Sequence, residues 1–304
     1  MWIMLVKKRS EPVELRSLKA LDNRMVFAEK EKQQLLTSKK GYEGEKMLDE
    51  WLELLKVDCL ILNDLLLEWN GSTFQLDSVV ITEETIYLFD AKNYAGDYYY
   101  ERERLKIING IEIKDPLLQL KRSESLLRQL LNHLGIHLPV EPHIIFTNPE
   151  FTLYQAPLDQ PIIFPAQFNR FMKKLNRKES KLNNQHRKLA ERLLSLDQTN
   201  SSSPRLPQYS FEQLAKGIKC TECNAIFDAW QGKNFHCASC EGQESIDSAV
   251  MRNVEEFRLL FPDRRITINQ IYEWCNYSVS KKVIRRILST NLRTVEGGKV
   301  FYYE

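Results

Sequence analysis

Gln75-Leu76-Asp77-Ser78-Val79-Val80-Ile81 and Ile86-Tyr87-Leu88-Phe89-Asp90-Ala91-Lys92-Asn93 decide how this chain is read. Both runs are apolar, β-branched or aromatic, and the polar Thr82-Glu83-Glu84-Thr85 lies between them. They predict two consecutive strands joined by a turn. Side chains alternate faces along a strand, so Asp90 and Lys92 share a face with Ile86 and Leu88. Charges at the end of an apolar strand are costly unless paired, metal-bound or near an open edge. An antiparallel pairing brings Asp77 close to Asp90. Two carboxylates at one point favour a divalent cation, and hard oxygen ligands favour Mg2+ or Mn2+. Lys92 beside them could orient a water or stabilise charge on a phosphoryl group. The plainer alternative is two strand ends that happen to carry charge.

Neighbouring segments add context. Gly41-Tyr42-Glu43-Gly44-Glu45-Lys46 opens an amphipathic helix, expected over 43–56, with Met47, Leu48, Trp51, Leu52 and Leu55 on one face. Downstream, Asp115-Pro116-Leu117-Leu118-Gln119 opens another, with Asp115 as N-cap and Pro116 at its first position. The order of G-x-x-G-E helix, Q-L-D strand, D-A-K-N strand and P-L-x-Q helix resembles the nuclease-related domain (NERD) family, a branch of the PD-(D/E)xK nucleases. The resemblance covers roughly residues 38 to 150. It implies an α/β fold with a restriction-endonuclease-like core, a mixed central sheet flanked by helices. It also implies Mg2+- or Mn2+-dependent cleavage of nucleic acid, DNA being the expected substrate. In that pattern Asp77 and Asp90 hold the metal, Glu45 is a third site acid, Lys92 works on the attacking water, and Gln119 faces the site. The family usually carries Glu where this chain has Asp90, one methylene shorter. On residue type alone, Glu45 in a first helical turn would merely suit the helix dipole.

The 304 residues, 43% hydrophobic and 28% charged with a net charge of +2, suit an ordinary globular protein of one to three domains. Met1–Val6 is apolar, but it is too short to span a bilayer, and its charges (Lys7-Lys8-Arg9) follow it, the wrong order for a secretory signal. A cytoplasmic protein without membrane contact is the expectation. Residues 1–37 read as an N-terminal helical extension covering the nuclease-like core, with Leu15, Leu18, Leu21 and Met25 at helical spacing. Tyr94, Tyr98, Tyr99 and Tyr100 could stack on bases, or be half-buried strand residues.

The nuclease-like domain is expected over 38–196. It ends in one long helix from about Gln167 to Leu196, with nine Lys/Arg against two Glu between Arg170 and Arg192. Lys173, Lys174, Arg177 and Lys181 could follow a phosphate backbone, or simply form a solvated face. Residues 197–210, polar and proline-containing, read as a linker.

Cys220-x-x-Cys223 and Cys237-x-x-Cys240 then predict a closed structural Zn2+ site in a ribbon over 211–247, with Phe227, Trp230 and Phe235 as its small core. Residues 248–304 read as helix, turn, basic helix and Gly-Gly hairpin, resembling a winged-helix module of α+β type. Lys281, Lys282, Arg285 and Arg286 lie on its second helix, facing nucleic acid or a protein partner. Two other classes stay open: a catalytically silent nucleic-acid-binding scaffold, and a protein-interaction protein.

Overall fold

The computed structural model describes residues 3–199, 204–227, 230–297 and 300–304. In order come β1 (Ile3–Lys7), α1 (Val13–Asp22), α2 (Glu29–Leu52), β2 (Cys59–Trp69), β3 (Ser72–Ile81), β4 (Ile86–Lys92), β5 (Gly96–Glu101), β6 (Arg104–Ile107) and α3 (Pro116–His133). Next are β7 (Val140–Phe146), β8 (Phe151–Tyr154), β9 (Ile162–Ile163), α4 (Pro165–Leu175) and α5 (Asn184–Ser195). The remainder holds β10 (Trp230–Gln231), β11 (Asn234–His236), β12 (Gln243–Ser245), α6 (Ile246–Leu260), α7 (Ile268–Trp274), α8 (Lys281–Asn291), β13 (Thr294–Gly297) and β14 (Val300–Tyr303). Two compact units divide the chain: Met1–Glu11 with Thr37–Ser203, and Pro12–Leu36 with Pro204–Glu304.

In the first unit a six-stranded mixed sheet runs β1-β2-β3-β4-β7-β9. β1 is parallel to β2, β2 through β4 are antiparallel, and β7 is parallel to β4 and β9. Apolar side chains cover both faces. Leu62, Val79 and Leu88 pack under α3 and α5, through Leu127, Leu131 and Leu193. Ile61, Val80 and Phe89 pack under α2 and α4, through Leu48, Leu52, Phe168 and Met172. A smaller sheet, β6-β5-β8, adjoins it. Tyr94, Tyr98 and Tyr100 are half-buried against the α3-side core, the structural of their two readings.

Three sequence expectations need correction here. The apolar N-terminus is a strand of this sheet, because Met4-Leu5-Val6 supplies the run that β2 pairs with; it is not part of a helical cover. α2 begins at Glu29, so Glu45 lies about four turns inside it and has no helix-terminal dipole to meet. Gly41 and Gly44, each costing about 1 kcal/mol in a helix interior, gave a false start signal. Finally, the basic segment is two helices rather than one. Asn183 caps α5 by accepting from Gln185 N at 2.8 Å, and Ser180 Oγ donates to Asp58 O at 2.7 Å in the connection. Lys173 and Lys174 therefore sit on α4, while Arg177 and Lys181 sit between the helices; all four are exposed.

The second unit has its own core. Leu18 and Leu21 of α1 pack in a cluster with Phe211, Leu214, Phe235, Val254, Phe257, Trp274 and Ile284. The stripe on α1 showed which side was apolar but not which core it meets. β10-β11-β12 form a three-stranded antiparallel ribbon, and β13-β14 a hairpin after α6, α7 and α8. Phe227 and Phe235 stack at 5.0 Å inside the ribbon. Trp230 does not join them: it is 44% exposed, with Nε1 donating to Ser278 O at 3.1 Å. Of the segment read as a linker, Asp197 accepts from Leu66 N at 2.9 Å, and Tyr209 donates to Leu260 O at 2.7 Å, so both ends are anchored. Its residues 200–203, Met1-Trp2, and Gly298 of the expected Gly-Gly turn with Lys299 lie outside the described residues.

Candidate active site

β3 and β4 pair with Ser78 opposite Phe89, which sets Asp77 opposite Asp90. β2 and β3 pair Asn63 with Ser78 and Leu65 with Leu76, which sets Asp64 opposite Asp77. Three aspartates thus cross three adjacent strands at one level. The α3-side core takes Leu60 and Leu62, then Leu65 and Leu67; on β3 it takes Phe74 and Leu76, then Val79 and Ile81. Strict alternation would forbid both sequences. The break falls at the aspartates, where Asp64 adopts a left-handed φ of 56°.

Asp77 and Asp90 are 8% and 6% exposed. Asp77 Oδ2 accepts from Ala91 N at 2.9 Å, tying the acid to the neighbouring strand. The Lys92 ammonium forms an ion pair with Asp90 Oδ1. Burial and the Asp77 carboxylate push Asp90 up to about 7 against the pull of Lys92. Burial works against the charge on Lys92, but Asp90 and Asp77 outweigh it and hold the ammonium above the usual lysine range. Glu45 reaches the cluster from α2. Burial and Asp77 push it up to about 8, with Arg9 opposing.

Of the residues expected at the site, Glu45, Asp77, Asp90 and Lys92 are brought together. Gln119 is half-buried in the first turn of α3, and no hydrogen bond among the described residues ties it to them. Three participants were not foreseen. Asp64 was visible only as an isolated charge in an apolar run, and Asp49 as a second acid one turn after Glu45. Arg9, reading as part of a basic stretch, gave no signal.

α2 approaches β4 through Gly44. A Cβ there would stand 2.6 Å from Asn93 Cβ and 3.0 Å from Thr147 Oγ1, whereas at Gly41 it would meet nothing within 4 Å. Gly44→Ala gains about 1 kcal/mol of helix propensity, but the overpacking costs about 1–3 kcal/mol and displaces Glu45. We expect it to lower the melting temperature and any catalytic activity, while Gly41→Ala raises the melting temperature. Thermal melts of both variants check this; a Gly44→Ala protein as stable as Gly41→Ala would refute the close contact.

Residues 40–147 match the family model of the nuclease-related domain, NERD. The match spans Glu45, Asp64, Asp77, Asp90, Lys92 and Gln119, and stops short of Arg9 and of the whole second unit. Neither a curated protein nor a solved structure matches the chain.

The donor set of the segment that matches NERD suits a hard divalent cation: it offers carboxylate oxygens only, those of Asp77 and Asp90 buried and facing one another across adjacent strands. The cysteines form a different centre. The sulfurs of Cys220, Cys223, Cys237 and Cys240 all lie within 4.8 Å of one another, with 3.6 Å between Cys220 and Cys240 and 3.4 Å between Cys223 and Cys237. Disulfides need about 2.05 Å, whereas tetrahedral zinc at about 2.3 Å from sulfur sets neighbours about 3.8 Å apart. This cluster can bind zinc. Gly242 lets the chain pass closely: a Cβ there would sit 3.3 Å from Cys240 Sγ.

Among the described residues no helix is long and apolar enough to cross a membrane. Lys281, Lys282 and Arg285 are exposed on α8, and Arg286 is engaged by Asp247 at 2.6 and 2.9 Å.

Proposed function

We propose that the NERD segment hydrolyses phosphodiester bonds of DNA with Mg2+ or Mn2+. The observation that carries this reading is the facing pair Asp77 and Asp90, buried at one level of the sheet with Lys92 two residues on. Asp77 and Asp90 would hold the cation, with Glu45 completing the acidic shell. Bound there, a divalent cation supplies neutralisation of phosphate charge and a water of lowered pKa. Lys92, ion-paired with Asp90, donates hydrogen bonds and can orient a water or a phosphate oxygen. Ala91 N fixes one oxygen of Asp77 and leaves the other for the cation. Gln119 receives no step.

The exposed Lys173, Lys174, Arg177 and Lys181, with Lys281, Lys282 and Arg285, would grip the phosphate backbone. Arg286 would join them by exchanging Asp247 for phosphate, since an exposed ion pair is worth only about 0–1 kcal/mol. The four-cysteine zinc would brace the ribbon without taking part in chemistry.

The test is cleavage of linear, circular and single-stranded DNA by zinc-loaded protein with Mg2+, Mn2+ or no added cation. Wild type is expected to cut only with a cation. Asp77→Asn and Lys92→Ala, assayed where both are folded, should each lose at least about 100-fold, the scale of removing one charge-stabilising group. A folded wild type that cuts nothing would point to a binding scaffold, and full cleavage by Lys92→Ala would overturn the mechanism.

A further inference from the structure

Arg9 lies just after β1, outside the segment that matches NERD, and its side chain is 1% exposed. Nε donates to Asp49 Oδ2 at 2.9 Å and Nη2 to Asp49 Oδ1 at 3.1 Å, a two-pronged pair. Nη1 donates to Glu45 Oε2 at 2.8 Å. Nη2 also donates to the backbone carbonyl of Asp77 at 2.6 Å and reaches Ser78 Oγ at 3.4 Å. One planar group therefore joins the segment after β1, two successive turns of α2, and β3 at the acid itself.

The division of labour follows from the partners. A guanidinium stays charged at any working pH, so its burial demands a carboxylate. Asp49 meets that demand with both oxygens. Glu45 gives Arg9 only Oε2, and no hydrogen bond among the described residues engages Oε1. Asp77 gives Arg9 only its carbonyl, so its carboxylate stays with the cluster.

We propose that Arg9 is a positioning residue for the cation site: it holds Glu45 and the Asp77 backbone so that the Glu45 and Asp77 carboxylates converge. The inference rests on the nuclease reading. Arg9 would touch neither cation nor substrate. Groups that orient metal ligands in this way typically change metal affinity by about 10–100-fold when altered.

Arg9→Lys keeps the charge and loses the fork. Mn2+ binding by full-length, zinc-loaded protein is measured calorimetrically, well below each variant's melting temperature, with the cleavage rate followed against Mg2+ concentration. Wild type should bind Mn2+ at a site that Asp77→Asn abolishes. Arg9→Lys should weaken that binding about tenfold or more, raise the Mg2+ needed for half-maximal rate, and approach the wild-type rate at saturating Mg2+. In a Glu45→Gln background, Arg9→Lys should cost less than in wild type, because the part of its effect that runs through Glu45 is already lost and only the part through the Asp77 backbone remains.

Unchanged Mn2+ affinity in Arg9→Lys, or fully additive losses with Glu45→Gln, would reduce Arg9 to a structural ion pair. If Arg9→Lys does not fold, Asp49→Glu shifts the same fork by one methylene at constant charge; it should weaken Mn2+ binding, and unaltered affinity there overturns the proposal. A wild type with no Mn2+ site sensitive to Asp77 would instead bring down the nuclease reading, and this inference with it.

Discussion

Removing zinc from the four-cysteine cluster is expected to unfold the ribbon and leave the helices beside it folded. β10, β11 and β12 are two to three residues long, too short to persist as an isolated sheet. Structural zinc contributes about 10–16 kcal/mol in finger peptides, which exceeds what the stacked Phe227 and Phe235 can supply at about 1.5–3 kcal/mol each for full burial. α6, α7 and α8 keep a core of their own around the fully buried Phe257, Ile271, Trp274, Ile284 and Ile287. Arg24 reinforces it, donating to Asn253 Oδ1 at 2.9 Å with its guanidinium 4.0 Å over the Trp274 ring. Hydrogen exchange after chelation should therefore show protection lost across 219–245 and retained in α7 and α8. Cys220→Ser should give the same pattern with zinc present. Protection that survives both treatments would mean the sulfurs meet without a metal staple.

How much of this was legible depended on the range of the interaction. Alternation along one strand is local, so it put Asp90 and Lys92 on a single face, and the turn between the runs put Asp77 opposite Asp90. Two C-x-x-C pairs are equally local, and they announced their centre. Asp64 was harder: its place beside Asp77 requires a break in alternation on both strands, and an Asp in a left-handed conformation does not declare itself in an apolar run. Arg9 was invisible, because its partners Glu45, Asp49 and Asp77 lie 36, 40 and 68 residues away. α1 showed the same limit in packing. Trp230 misled for another reason: a large aromatic between two cysteine pairs suggests core, but an indole whose N–H finds a carbonyl outside the ribbon can lie flat on the surface. Glycine misled at Gly44, where its role is not to break α2 but to let it approach Asn93.

Asp77→Asn is expected to stabilise the cation-free protein above about pH 6 while it abolishes cleavage. Asp90 and Glu45 titrate near 4 in an unfolded chain, but in the fold they are pushed up to about 7 and about 8, by burial first and Asp77 second. Between those limits the folded state binds more protons than the unfolded one, so stability falls as pH rises from about 4 to about 8. Removing the Asp77 charge removes the second cause for both acids and flattens the fall. Asparagine is the right substitute because its amide oxygen can still accept from Ala91 N, whereas alanine would leave that buried N–H unsatisfied at a cost of about 1–3 kcal/mol. A divalent cation acts in the opposite sense. It binds the deprotonated acids, so it should stabilise wild type more at pH 8 than at pH 5, by about 2.7 kcal/mol at a hundred times its dissociation constant, and should leave Asp77→Asn nearly unmoved. Melting temperatures from pH 5 to 9, with and without Mg2+ and with zinc retained, read both effects. Parallel curves for wild type and variant would show that the two acids do not feel Asp77. A Mg2+ gain independent of pH would place the cation elsewhere.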